Sequence, residues 1–281
     1  MREERSWRGI VEEYLRSKAR RGEKAVFILV DPDPSKHVKN GIKDIPGLIR
    51  GWDIDAILVG GSLGVSEAEV DRAVSILRDT GLPIILFPGN VNGISSKADA
   101  ILFMSLLNSA DPYYIIGAQV IGAPIVKRYG LEALPTAYVL MGSNTAVSHI
   151  GWARPIPEEV PEIASAYAMA AELLGMRFIY LEGGSGASKP VSPDVVRSVR
   201  RSTNLYIIAG GGIRETEAAL EILKAGADAI VLGTILERNP EKAREIVKRV
   251  KSLSGIHETQ SSETGTPALG SSPGYSRADY D

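Results

Sequence analysis

Two kinds of residue in this chain carry chemistry: glycine turns that can hold an anion, and strand-end oxygens that can work on it. The turns are Glu182-Gly183-Gly184-Ser185-Gly186, Gly210-Gly211-Gly212-Ile213 and Gly233-Thr234. Each follows a short apolar run, at residues 178–181, 205–209 and 229–232. Glycine accepts positive φ and lets the backbone approach a ligand, so its N–H groups can converge on one anion. The last two turns lie about one strand-plus-helix unit apart, which puts them at the same ends of neighbouring parallel strands. In eight-stranded α/β barrels the final βα loops build a phosphate site in this way. A phosphorylated small molecule is therefore the expected ligand.

The oxygens come from three places. Asp31-Pro32-Asp33 follows the apolar run 25–30. It reads either as a plain turn or as a carboxylate at an active-site rim. Facing phosphates, such a carboxylate works through Mg²⁺, a hard ion that takes one or two protein oxygens and fills its shell with phosphate and water. Ser62, after Gly60-Gly61, adds a hydroxyl next door or is an ordinary turn serine. Glu182 stands directly before a phosphate-type loop, where a negative charge is out of place unless it has a task. It is either a general base for a substrate hydroxyl or an acid paired with a nearby Arg or Lys. Ser185 can donate to a phosphate oxygen, and Tyr180 is either core or a cap on the ligand. Lys36, Lys39 and Lys189 read as solvated surface. Arg214 reads as structural, Asp111 as a helix cap, and His37 and His149 as lone loop histidines. No Ser–His–Asp constellation stands out.

These residues need a frame. Apolar runs at 25–30, 56–59, 83–87, 100–104, 136–141, 178–181, 205–209 and 229–232 read as eight strands. They are apolar nearly throughout, as strands buried on both faces are. Helical periodicity falls between most of them, at 6–21, 42–50, 66–80, 111–129, 157–174, 193–202, 215–225 and 240–253. Ser66 with Glu69 forms a capping-box pattern. Asp111-Pro112 reads as an N-cap followed by Pro at the first helical position. Only twelve residues separate Phe87 from Ala100, so the third crossover is expected to be short. The fifteen residues 142–156 are long for a βα loop and suggest a ligand-facing segment. An open doubly wound sheet fits the alternation too. The count of eight and the position of the glycine turns favour an α/β fold of the (β/α)8 TIM-barrel type.

The 281 residues fit one such barrel, expected over 1–254. Residues 255–281 are rich in Ser, Thr, Gly and Pro and are expected to be a disordered tail. A net charge of −2 with dispersed Lys and Arg gives no sign of a nucleic-acid partner. The absence of cysteine excludes disulfides, thiolate metal sites and cysteine nucleophiles, and three histidines argue against a His-rich zinc site. The N-terminus lacks an apolar signal core and no run is long enough to span a membrane, so a cytoplasmic protein is expected. Self-association into a homo-oligomer is also expected, with the aromatic helical stretch 113–129 as a contact face.

Several of these pieces recur together in one known family. They are Leu29-Val30-Asp31-Pro32-Asp33, Gly60-Gly61-Ser62, Phe87-Pro88-Gly89-Asn90, the run from Ala98 to Ser109, Tyr180 to Gly186, Gly210 to Ile213, and Gly233-Thr234. In their order and joint presence the chain resembles the geranylgeranylglyceryl phosphate synthase family, Mg²⁺-dependent prenyltransferases of archaeal membrane-lipid synthesis. The resemblance runs over roughly residues 27–236. It implies transfer of a geranylgeranyl group from its diphosphate to the 3-hydroxyl of sn-glycerol 1-phosphate. It further implies that Asp31 and Ser62 hold Mg²⁺ at the diphosphate. Tyr180, Leu181, Glu182, Gly183, Gly184, Ser185, Gly186, Gly211, Gly212, Gly233 and Thr234 would hold glycerol phosphate, with Glu182 at the glycerol hydroxyls. The chain departs from the family's usual pattern in three places. Pro34 and Ser35 precede Lys36 where a Lys often follows Asp-Pro-Asp, Leu29 stands where some members have Lys, and Gly183 replaces a common Ala. Rival readings are the same reaction with a longer, heptaprenyl donor, a metal-independent phosphosugar isomerase or lyase, and a non-catalytic phosphometabolite-binding barrel.

Overall fold

The computed structural model describes residues 7–33, 41–61, 64–142, 145–184, 187 and 189–254. Ser62, Ser185, Gly186, Lys36, His37, Lys39 and the segment 255–281 lie outside the described residues.

Eight parallel strands close into a barrel in sequence order. They are β1 (Ala25–Val30), β2 (Ala56–Val59), β3 (Ile84–Leu86), β4 (Ala100–Leu106), β5 (Glu132–Leu140), β6 (Phe178–Glu182), β7 (Tyr206–Gly210) and β8 (Ala229–Leu232). The ring closes where β1 pairs with β8, Phe27 opposite Val231. Strand alternation sorts the side chains into two layers. Phe27, Leu58, Ile85, Leu102, Phe178 and Ile208 fill the interior. Their sequence neighbours, such as Ile28, Ile57 and Ile207, pack outward. The helices are α1 (Val11–Arg20), α2 (Ile45–Leu48), α3 (Glu67–Leu77), α4 (Ala118–Tyr129), α5 (Ala146–Ile150), α6 (Pro161–Leu173), α7 (Pro193–Ser202), α8 (Thr216–Lys224), α9 (Thr234–Arg238) and α10 (Pro240–Ser254). None is long and apolar enough to cross a membrane, among the described residues.

The third crossover is indeed short: a single 3-10 turn, Val91–Gly93, stands where a helix would be. The capping box at Ser66 and Glu69 is present. Three expectations shift. The first helix starts at Val11 rather than Ser6, because its amides are capped from far away. The N–H groups of Val11 and Glu12 donate to the Glu132 carboxylate at 2.8 and 2.9 Å. The fifth strand begins four residues early and runs through Pro135. Proline has no N–H to lose, and its carbonyl still accepts from the Arg177 amide at 3.1 Å. The helix after Asp111-Pro112 opens as a π-turn, Tyr113–Gly117, before it settles into α4.

One end of the barrel is shut. Trp7, Val11 and Leu15 join the interior cluster from below. Beside them Asp55, 1% exposed, accepts from the Val26 amide at 2.7 Å. Lys251 and Lys18 meet the same carboxylate at 2.6 and 3.1 Å. Removing one partner of such a group leaves buried charge uncompensated. Asp55→Ala is therefore expected to lower unfolding free energy by about 3–5 kcal/mol, read from the urea midpoint at constant m-value. A site can form only at the other end, where the strands finish.

Candidate active site

A cavity of about 380 Å³ occupies that open end. Much of its wall is made of strand ends and the loops that follow them, with α4, α5 and α9 adding residues. Asp31 comes directly after β1, Gly60 and Gly61 after β2, and Phe87 after β3. Opposite stand Tyr180 and Glu182 of β6, Gly211 and Gly212 after β7, and Gly233 and Thr234 after β8. An apolar arm runs off between β4 and α4, lined by Ile94, Phe103, Met104, Ala118 and Gly122.

Glu182 is the electrostatic centre. It is 5% exposed. One carboxyl oxygen, Oε1, accepts from the Gly184 amide, and Oε2 accepts from the Tyr138 hydroxyl at 3.2 Å. Tyr180 adds a further side-chain hydrogen bond. Burial pushes the Glu182 pKa up to about 7, because desolvation of the anion outweighs the donors from Gly184, Tyr138 and Tyr180. A carboxyl with that pKa is partly ionised at neutral pH and suits proton abstraction. The donors to the anion resist the rise. Tyr138→Phe removes one without changing the ring, so the Glu182 pKa is expected to climb by roughly a unit. The rising limb of the pH–rate profile should then move to higher pH, with a lower rate along the limb and little change on the plateau above it.

Glycine is required here for close approach. A Cβ on Gly211, whose φ is +80°, would run into Glu182 Oε1 and the Gly184 amide. A Cβ on Gly210 would meet the Tyr180 hydroxyl. The Gly183 amide donates to the Gly210 carbonyl at 2.9 Å, locking the two turns together. Arg214 adds a second tie, donating to the Ala187 carbonyl at 2.9 Å.

Asp31 lies across the cavity. Its Oδ1 accepts from the Asp33 amide at 3.0 Å. A Cβ on Gly61 would sit 2.6 Å from the same oxygen, so the glycine leaves this carboxylate its space. The described donor at this point is a carboxylate, the kind of ligand a hard divalent cation prefers. Among the described residues no group of three His, Cys, Asp or Glu forms a complete metal cage. An ion here would need substrate oxygens to fill its shell.

The structure thus brings together Asp31, Tyr180, Glu182, Gly211, Gly212, Gly233 and Thr234 around one cavity. Gly183 and Gly184 build the turn behind it. Leu181 does not join them, since its side chain packs in the outer layer; strand alternation turns Tyr180 and Glu182 in and Leu181 out. Tyr138 is the residue whose part sequence reasoning missed. Its signal is cross-strand register, Tyr138 opposite Tyr180, which the sequence does not display. Arg214 and Glu237 also line the cavity.

The PcrB family profile matches residues 19–251 of this chain, most of its length. The chain belongs to the PcrB family. This PcrB-family chain is 46% identical over 243 residues to the geranylgeranylglyceryl phosphate synthase of Staphylothermus marinus, covering 86% of this chain and 99% of the relative. It is 46% identical over 244 residues to the enzyme of that name from Saccharolobus solfataricus, covering 87% and 95%. Among solved structures it is similar to (S)-3-O-geranylgeranylglyceryl phosphate synthase from Thermoplasma acidophilum in complex with sn-glycerol-1-phosphate. The TM-score is 0.80 at 39% identity, over 86% of this chain and 98% of that one. A thiamine phosphate pyrophosphorylase from Pyrococcus furiosus, with TM-score 0.52 and 14% identity, shares the fold.

Proposed function

We propose that this chain transfers the geranylgeranyl group of geranylgeranyl diphosphate to the 3-hydroxyl of sn-glycerol 1-phosphate, forming an ether and releasing diphosphate. The observation that carries the reading is Glu182: a buried, proton-accepting carboxyl set among glycine turns, with a second carboxylate, Asp31, across one cavity. Relatives bearing the name of this synthase and a similar structure that holds sn-glycerol-1-phosphate support it.

The acceptor phosphate lies against the β7 and β8 turns, at Gly211, Gly212, Gly233 and Thr234, with Ser185 as a further donor. Glu182 takes the proton of the glycerol hydroxyl as its oxygen attacks. The donor's diphosphate lies at Asp31. Asp31 and Ser62 would hold Mg²⁺, which neutralises the charge that gathers on the departing diphosphate. The polyprenyl tail runs into the apolar arm, where Ile94, Phe103 and Gly122 exclude water from the reacting carbon. The reaction is proposed to run in the cytoplasm, and the enzyme to work as a homo-oligomer.

The test is incubation of the full chain with glycerol 1-phosphate, geranylgeranyl diphosphate and Mg²⁺, alongside an EDTA control and a heptaprenyl diphosphate arm. Ether product that depends on the metal is expected. No ether from either donor would overturn the transferase reading. Product that survives EDTA would overturn the metal's part, and preference for the longer donor would overturn the chain length.

A further inference from the structure

We propose that Phe87 is a further catalytic residue, whose ring stabilises the positive charge on the donor's allylic carbon. The inference rests on the transferase reading above.

Position is the first argument. Phe87 is pinned beside the β2 turn: its amide donates to the Val59 carbonyl at 2.8 Å. Its own carbonyl fills the space a Cβ on Gly60 would need. The next glycine, Gly61, abuts the Asp31 carboxylate. On the other side the Phe87 ring stacks on Tyr180 with centroids 5.0 Å apart and planes 17° from parallel. It meets Tyr138 edge-on at 5.7 Å. Both tyrosines hydrogen-bond Glu182. The ring therefore packs on the tyrosines that hold Glu182, while its backbone borders the β2 turn whose next glycine abuts Asp31. Tyr138 and Tyr180 are buried at 7% and 1% exposure, whereas Phe87 keeps part of its surface open and lines the cavity.

Chemistry is the second. The allylic C–O bond breaks with its electron pair leaving on the diphosphate. The glycerol oxygen supplies the pair for the new C–O bond, and its proton passes to Glu182. Between those events the allylic carbon is electron-poor. A carboxylate in contact would trap it as an ester. An aromatic face attracts a cation through its quadrupole and offers no lone pair to bond with. The Phe87 ring is the aromatic surface that combines this position with exposure to the cavity.

The experiment replaces Phe87 in the full chain with mono-, di- and trifluorinated phenylalanine. Fluorination drains the ring's negative face while nearly preserving its shape. The single-turnover rate constant for ether formation is expected to fall stepwise, about 3- to 30-fold across the series, in proportion to the weakened cation attraction. KM for both substrates and the thermal midpoint should stay constant. Phe87→Leu, which keeps an apolar side chain and removes the ring, should lose most of the rate. A flat rate across the series, with active wild type, overturns the inference alone. So does a fall in rate that tracks KM or the thermal midpoint. A wild-type chain that makes no ether overturns the transferase reading and this inference together.

Discussion

Glu182→Gln is expected to slow ether formation by about 10²- to 10⁴-fold while leaving the dissociation constant for glycerol 1-phosphate within about threefold. The amide keeps the size of the carboxyl: its oxygen can still accept from Gly184, and its NH2 can donate to the Tyr138 hydroxyl oxygen, so the turn that holds the phosphate survives. What goes is the proton acceptor. The wild-type rate should climb with pH through about 7, where Glu182 ionises, and the variant should lack that limb. Stability offers an independent reading. A carboxyl whose folded pKa is raised holds its proton when the unfolded chain has already lost it. Between 4.5, the ordinary value for a glutamate, and about 7, the native state therefore binds more protons and loses stability as pH rises. Glutamine has nothing to ionise. The thermal midpoint of Glu182→Gln, relative to wild type, should accordingly rise between pH 5 and pH 8. A variant slow in catalysis yet relatively more stable at high pH marks a group buried for its chemistry. If acceptor binding failed while turnover of the bound complex held, Glu182 would be a binding residue only.

The frame of this site was legible because its strands are buried on both faces. Residues 25–30, 56–59 and 229–232 are unbroken apolar runs between turn residues, and the structure places β1, β2 and β8 on those bounds. Glu182 was legible for a related reason: a carboxylate before a glycine loop conflicts with anion binding and demands an explanation. The parts that stayed hidden depend on partners remote in sequence. Glu132 caps α1 from more than a hundred residues away. Tyr138 reaches Glu182 across the register of β5 and β6, not along either strand. Short α9 follows Gly233 without the periodicity of a longer helix. The pKa of Glu182 was hidden as well, since the burial that raises it is made by the closed barrel and not by its neighbours in sequence.

Asp31→Asn carries the second large effect: a loss of about a hundredfold or more in turnover, together with a higher Mg²⁺ concentration for half-maximal rate. The substitution separates two jobs that one side chain holds. Asp31 Oδ1 accepts from the Asp33 amide and shapes the turn after β1. An asparagine oxygen can do the same, so the turn should persist. The negative charge that attracts a cation does not. With no complete cage among the described residues, the Asp31 carboxylate and the donor's phosphate oxygens would share the ion, so losing one charge should weaken metal and donor together. KM for the prenyl diphosphate should therefore rise along with the metal requirement, while KM for glycerol 1-phosphate, bound at the far wall, should hold. Gly61→Ala tests the same point from the other side. Its Cβ would stand 2.6 Å from Asp31 Oδ1 and push the carboxylate aside. It should give a weaker form of the same pattern. If Asp31→Asn lost activity with the Mg²⁺ requirement unchanged, the carboxylate would serve the turn alone, and the donor's diphosphate would have to be held from elsewhere on the rim.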